Sequence, residues 1–129
     1  MALIGAAHVA ITVTDLARSK EWYGRVLGWT PVMEGDGVGV AFSLGEIPGG
    51  PMVGLRRYDN GSGDAFDPTR TGLDHLAFAE TSPAEMPDWE RRFAELGVTY
   101  EQTQETSYGY VLNFKDPDGI ALEIYSAPE

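Results

Sequence analysis

The only two histidines of this chain lie in matching segments, GAAHVAITV at 5–13 and GLDHLAFAE at 72–80, and the match extends along the chain as an internal repeat. At an offset of 67 residues, HVAI (8–11) falls on HLAF (75–78) and Trp22 on Trp89. From Leu27-Gly28 and Leu96-Gly97 onward the offset is 69, so that Pro48 falls on Pro117, Gly50 on Gly119, Val53 on Leu122 and Leu55 on Ile124. A repeat of this length means that one supersecondary unit is used twice.

Periodicity identifies the unit. Residues 6–13 alternate, with Val9, Ile11 and Val13 on one face and Ala6, His8, Ala10 and Thr12 on the other, the pattern of a strand with one buried side. A helix follows, capped by Thr14 or Asp15, with Leu16, Tyr23, Val26 and Leu27 as its apolar stripe and Gly28 at its left-handed end. In the second unit Ser82-x-x-Glu85 reads as a capping box, and a helix beginning near Pro87 reads equally well. Met86, Trp89, Phe93 and Leu96 then recur at helical spacing up to Gly97. Three strands complete each unit, near 30–34, 38–44 and 51–58 and near 98–104, 108–115 and 119–126. The turn Asp116-Pro117-Asp118-Gly119 joins the last two as a hairpin. The expected fold class is α+β, two tandem β-α-β-β-β modules in one domain over 1–129: module one about 4–58, a polar Gly/Asp/Pro-rich linker about 59–72, and module two about 73–126.

Composition removes several function classes. Nine basic against twenty acidic residues give a net charge of −11, which repels polyanions and argues against nucleic acid as a partner. No apolar run approaches the roughly 20 residues that cross a bilayer, and the first residues lack the pattern of a signal peptide, so the expectation is a cytoplasmic protein with no membrane partner. The absence of cysteine excludes disulfides, thiolate catalysis and thiolate metal sites. A metal ion would need His, Asp or Glu.

Strand alternation supplies such donors. In GIALEIYSA, Ile120, Leu122 and Ile124 face one way, leaving Ala121, Glu123 and Tyr125 on the other side. His8 and His75 likewise oppose apolar faces, among Ala6, Ala10, Ala77 and Ala79, whose small side chains leave room for an ion and a ligand. Two imidazoles and a carboxylate form a divalent-metal donor set with open positions for water or substrate. Singly, each of the three reads more readily as an ordinary polar strand residue. As a set placed by the repeat they read as metal ligands: His8, His75 and Glu123. Gly54 occupies the position equivalent to Glu123 and offers no side-chain donor. Arg56, the counterpart of Tyr125, is a candidate for binding a substrate carboxylate or phosphate, or else an exposed strand-end arginine beside Arg57. Tyr110 and Tyr125 are candidate substrate-binding hydroxyls, and Tyr110 reads equally as core because it alternates with Leu112 and Phe114.

The paired modules, HVAITVTDLARSKEWYGRVLGW at the start, GLDHLAFAE at mid-chain and the closing FKDPDGIALEIY resemble the vicinal oxygen chelate superfamily, which includes glyoxalase I, extradiol dioxygenases, fosfomycin-resistance transferases and bleomycin-binding proteins. The resemblance implies curved mixed sheets around a metal-centred cavity, the glyoxalase-like fold. It carries metal ligands onto the first and last strands of each module, at His8, Gly54, His75 and Glu123. Gly54 departs from the glyoxalase I pattern, which has a carboxylate there, and the remaining His-His-Glu set is similar to that of the dioxygenases and fosfomycin transferases. Pocket positions on the penultimate strand fall on Val111 and Asn113, which makes Asn113 a further substrate-binding candidate. The resemblance also implies a homodimer in which His8 of one chain joins His75 and Glu123 of the other.

The leading expectation is therefore a metal-dependent lyase or isomerase that holds a small substrate through two neighbouring oxygens. Its cofactor is one divalent ion, Zn, Ni, Mn, Co or Fe, and Glu123 is both a ligand and a catalytic group that moves protons when it detaches. The first alternative is an extradiol-type Fe(II) dioxygenase on the same ligands. The second is a non-catalytic binding or resistance protein with a cleft of Trp29, Tyr110 and Tyr125.

Overall fold

A computed structural model describes residues 1–35, 39–43 and 51–129. Pro48 and Gly50 of the sequence repeat, and residues 38 and 44 at the ends of one expected strand, lie outside the described residues.

Local signals place the helices. Asp15 caps α1 (Leu16–Leu27) by accepting the Arg18 backbone N–H at 3.0 Å, and Gly28 ends the helix at φ 73°. The buried face of α1 is Ser19, Trp22, Tyr23 and Val26, so the turn centred on Trp22 carries more of the packing than Leu16 or Leu27. In the second unit Ser82 starts a 3-10 turn in place of the α-helix of a capping box, and the α-helix begins near Pro87. Ser82 caps a 3-10 turn over Pro83–Glu85 by accepting the Ala84 N–H at 3.2 Å, and α2 (Met86–Leu96) follows directly, ending at Gly97 with φ 68°.

Strands β1 (His8–Thr12), β2 (Pro31–Gly35), β3 (Gly39–Ser43) and β4 (Met52–Arg56) form one sheet in the order β1-β4-β3-β2. Strands β5 (Leu76–Glu80), β6 (Gln104–Thr106), β7 (Gly109–Lys115) and β8 (Ala121–Ser126) form the second in the equivalent order β5-β8-β7-β6. Each sheet is mixed, because its first and last strands pair in parallel and the other pairs are antiparallel. The α+β class and the two-module architecture expected from the sequence are thus realised. The chain divides into two compact units, Met1–Gly63 and Asp64–Glu129, and this boundary falls inside the polar stretch 59–72.

Each unit has its own core. In the first, α1 packs on β3 and β4, where Phe42, Val53 and Leu55 are buried, and Tyr23 lies 5.7 Å from Trp29 and 6.4 Å from Phe42, ring centre to ring centre. In the second, fully buried Phe93 of α2 lies 4.6 Å from Phe114 and 5.9 Å from Tyr100. The Asp116 turn closes the β7–β8 hairpin. Its carboxylate accepts the N–H groups of Asp118 and Ile120 at 2.9 Å each, and Gly119 takes φ 76° while donating to the Asp116 carbonyl. No helix among the described residues is long and apolar enough to cross a membrane.

The strand expected near 98–104 is interrupted. Thr99 and Glu101 pair with β7 through Lys115 N–H to Thr99 O at 3.0 Å and Glu101 N–H to Asn113 O at 2.9 Å. Pairing then lapses, because the Thr103 N–H is drawn to the Glu90 carboxylate of α2 at 2.6 Å, and it resumes as β6 at Gln104. The break anchors the helix to the sheet edge.

A second carboxylate ties α2 to β5. Glu80 accepts from Trp89 Nε1 at 2.9 Å and from the Thr81 N–H at 2.6 Å. The Trp89 bond above all, with the Thr81 bonds behind it, holds the Glu80 carboxyl below its ordinary range against the opposing effect of burial. A lowered folded-state pKa contributes stability above the unfolded value of 4.5, which is lost as pH falls through the folded value. Glu80→Gln should therefore be less stable than the native chain by about 1 kcal/mol at pH 7. The gap should close in acid, and urea titrations across that range measure it.

Candidate metal and substrate site

Parallel pairing of β5 with β8 decides which side chains of unit two meet. Ala77 stands beside Glu123 and Ala79 beside Tyr125. His75 immediately precedes β5, whose first residue Leu76 pairs with Leu122, so His75 stands next to Ala121. Ala121 contributes only a methyl group, and the imidazole reaches across it: His75 Nε2 lies 3.9 Å from Glu123 Oε2. The carboxylate is largely sheltered, its side chain 13% exposed, whereas the imidazole is 46% exposed.

The other imidazole nitrogen is committed. His75 Nδ1 lies 2.6 Å from Asp74 Oδ1, and since a carboxylate only accepts, Nδ1 carries the hydrogen. In the neutral ring this leaves the Nε2 lone pair toward Glu123. A carboxylate behind a histidine in this way is the usual support of a metal-ligating imidazole, fixing both ring orientation and tautomer.

Two further strands extend the same face. Asn113 pairs with Glu123 and Glu101 with Asn113, giving one row of Ala77, Glu123, Asn113 and Glu101. The adjacent row is His75, Ala121, Lys115 and Thr99. All of these but Ala77 border a hollow of about 430 Å³. Tyr125 lies one row further on, where its hydroxyl donates to the Tyr108 carbonyl at 2.7 Å and its ring stacks on Tyr108. Gly109 makes this possible: at φ 145°, a Cβ there would sit 2.4 Å from the Ser126 carbonyl and 2.7 Å from the Tyr125 ring. Tyr110 is placed apart from the other candidates. It shares the face of Leu112 and Phe114, opposite Glu123, and pairs with Glu105, whose negative charge raises the phenol pKa.

Unit one repeats the geometry with different chemistry. Its row is Ala10, Gly54, Ala41 and Met33, equivalent strand for strand to Ala77, Glu123, Asn113 and Glu101. His8, beside Met52, is exposed, and the residue before it is Ala7, so it has no counterpart of Asp74. A Cβ at Gly54 would meet Ala10 Cβ at 3.8 Å, an ordinary contact. Arg56 ends the strand with its guanidinium 4.9 Å from the Tyr58 ring centre, a cation–π contact. His8, Arg56 and the row Ala10, Gly54, Ala41 and Met33 border a hollow of about 570 Å³.

The residues fit a divalent ion as a two-donor arrangement in unit two, with a sheltered carboxylate and a tautomer-fixed imidazole converging. No group of three or more His, Cys, Asp or Glu side chains able to hold a metal ion is present among the described residues. Asp74, Thr99, Glu101 and Lys115 were not singled out by the sequence reading. Asp74 lies inside the quoted GLDHLAFAE and Lys115 inside FKDPDG, where alternation from Asn113 already assigns Lys115 to the Glu123 face. Thr99 and Glu101 follow from the same alternation once their pairing with β7 is known.

The sequence model of the Glyoxalase/Bleomycin resistance protein/Dioxygenase superfamily matches residues 5–124. A glyoxylase/bleomycin resistance protein/dioxygenase domain from Frankia sp. EAN1pec is 40% identical with a TM-score of 0.86, over 99% of this chain and 95% of that one. A lactoylglutathione lyase from Agrobacterium tumefaciens shares the fold at 23% identity and a TM-score of 0.76, over 96% and 94% of the two chains. The fosfomycin resistance protein FosX from Mesorhizobium loti does so at 19% and 0.70, over 98% and 95%. No curated protein matches the chain in sequence. The repeated module, its strand order and these likenesses agree: the chain belongs to the Glyoxalase/Bleomycin resistance protein/Dioxygenase superfamily.

Proposed function

We propose that this chain is a metal-dependent enzyme of its superfamily, a glyoxalase-like lyase or isomerase acting on a small substrate held through two neighbouring oxygens. The observation that carries this reading is the convergence of His75 Nε2 and Glu123 Oε2 at 3.9 Å, with His75 Nδ1 tied to Asp74. His75 and Glu123 supply two donors and His8 the third, from a second copy of the chain in a homodimer. Support for His8 comes from the repeat, which gives it the same strand position as His75. The donor types suit Zn, Ni, Mn, Co or Fe. A divalent ion bound there supplies Lewis acidity, stabilising negative charge that develops on substrate oxygens.

The chain's own residues do the rest. Asp74 keeps the His75 lone pair on Nε2, and Ala77 and Ala121 leave the space beside the donors to the substrate. Asn113, next to Glu123, offers an amide N–H and a carbonyl for orienting it. Glu123 is both a donor and the group that moves a proton when it detaches, and Glu101 is a second carboxylate on the same face, two strands away.

Calorimetric titration of Ni²⁺ or Zn²⁺ tests the donor set. His75→Ala and Glu123→Ala should each weaken binding by at least about a hundredfold, and Asp74→Ala by roughly 10- to 100-fold. Asp74→Ala should also change the His75 tautomer in ¹⁵N spectra of the metal-free protein, a readout that does not depend on metal. If the site is shared between subunits, mixing His8→Ala with Glu123→Ala protein should restore tight sites that neither variant has alone. Native protein that takes up no ion, and binds small molecules equally well after His75→Ala, would make it a binding protein instead.

A further inference from the structure

In a chain with nine basic and twenty acidic residues a cation finds carboxylates easily, and most do. Lys20 pairs with Glu34, Arg25 with Glu21, Arg57 with Asp59, Arg70 with Asp64 and Asp67, and Arg91 with Asp88. Lys115 borders the unit-two hollow together with Asp74, Glu101 and Glu123, yet among the described residues no carboxylate lies within ion-pair distance of it. Asp74 is engaged by His75, and Glu123 faces the same ring.

The ladder fixes where Lys115 stands. It lies between Thr99 and Ala121 in the row that ends at His75, two strand spacings or about 10 Å from it along the sheet. Ala121, the residue between them, offers only a methyl group, so that span is open. Asn113 occupies the corresponding place in the next row, beside Glu123. A small molecule held beside His75 and Glu123 therefore lies over Ala121 and presents its next group to Lys115 and Asn113. An ammonium has three donors and no acceptor, which selects an oxygen anion. Glu101, beyond Asn113, repels an anion that overshoots Lys115, and this restricts the fit to a short molecule.

We propose that the substrate is a short organic acid or phosphate ester whose anionic group, beyond its two adjacent oxygens, is bound by the Lys115 ammonium. This rests on the reading of His75 and Glu123 as metal donors given above. It adds a feature that reading does not require.

Lactate, malate and 3-phosphoglycerate share a hydroxyl next to a carboxylate, and the last two add a second carboxylate or a phosphate. Each is titrated into the full-length protein, Zn²⁺-loaded and metal-free, by calorimetry and, where binding is weak, by ¹H–¹⁵N shifts. Malate or 3-phosphoglycerate should bind at least about tenfold more tightly than lactate, the advantage of one charge-assisted hydrogen bond. The tighter of the two identifies carboxylate or phosphate. Lys115→Ala should abolish the preference and leave lactate and Zn²⁺ affinities unchanged, and Lys115→Arg should keep most of it. Equal affinity for all three in the native protein, or a preference that survives Lys115→Ala, overturns the proposal. Failure to bind Zn²⁺ overturns the metal reading instead, and the metal-free arm still decides the role of Lys115.

Discussion

Parallel pairing between the first and last strands of each module governs everything else in this molecule. A parallel pair cannot be closed by a short turn, so the chain between β5 and β8 must travel through a helix and two further strands before it returns. That detour builds the module: the helix covers one face of the sheet, and the antiparallel β7–β8 hairpin delivers the last strand beside the first. In the register Ala77 to Glu123, a histidine just ahead of the first strand and a carboxylate in the middle of the last come within 3.9 Å, although they stand 48 positions apart in the sequence. A slip of one residue would turn Glu123 into the core and Ile124 out of it, so the hydrophobic pattern that stabilises the sheet also aims the donors.

The same geometry appears twice with opposite chemistry. Unit two fills its central row with Glu123, Asn113 and Glu101, while unit one places Gly54, Ala41 and Met33 at the equivalent points. The ladders and the glycine helix ends are common to both, because those depend on backbone pairing and on Gly28 and Gly97. The open face is free of that constraint. Side chains there do not pack the helix, and while His8 and Ala10 recur as His75 and Ala77, Gly54 gives way to Glu123.

Much of the architecture was legible in the sequence because alternation, helical spacing and turn residues each report a local rule. The repeat gave the number of modules, alternation put Glu123, Tyr125 and His75 on the face away from the helix, and the family resemblance pointed to Asn113. What escaped the reading depends on contacts between distant segments. Nothing near Thr103 announces that Glu90 will take its N–H and break the strand. The likeness of the two histidine segments drew attention to what they share, although the imidazoles differ in the residue before each one. Tyr110 was ambiguous because a tyrosine serves equally well in a pocket and at a core edge, and strand parity resolves its face where residue type cannot.

Gly54 shows how little the backbone had to change for the modules to differ. Its φ is not left-handed, and a Cβ there would make only ordinary contacts, so neither strain nor crowding requires glycine. The missing carboxylate in unit one is a difference in chemistry rather than in folding. Each carboxylate donor removed from a divalent centre frees a coordination position for water or substrate and leaves the ion more positive. A three-donor set such as the one proposed here would thus favour a substrate that brings negative oxygen atoms of its own. The lone ammonium of Lys115 on the same face of unit two is consistent with that preference, since it too has no carboxylate partner among the described residues.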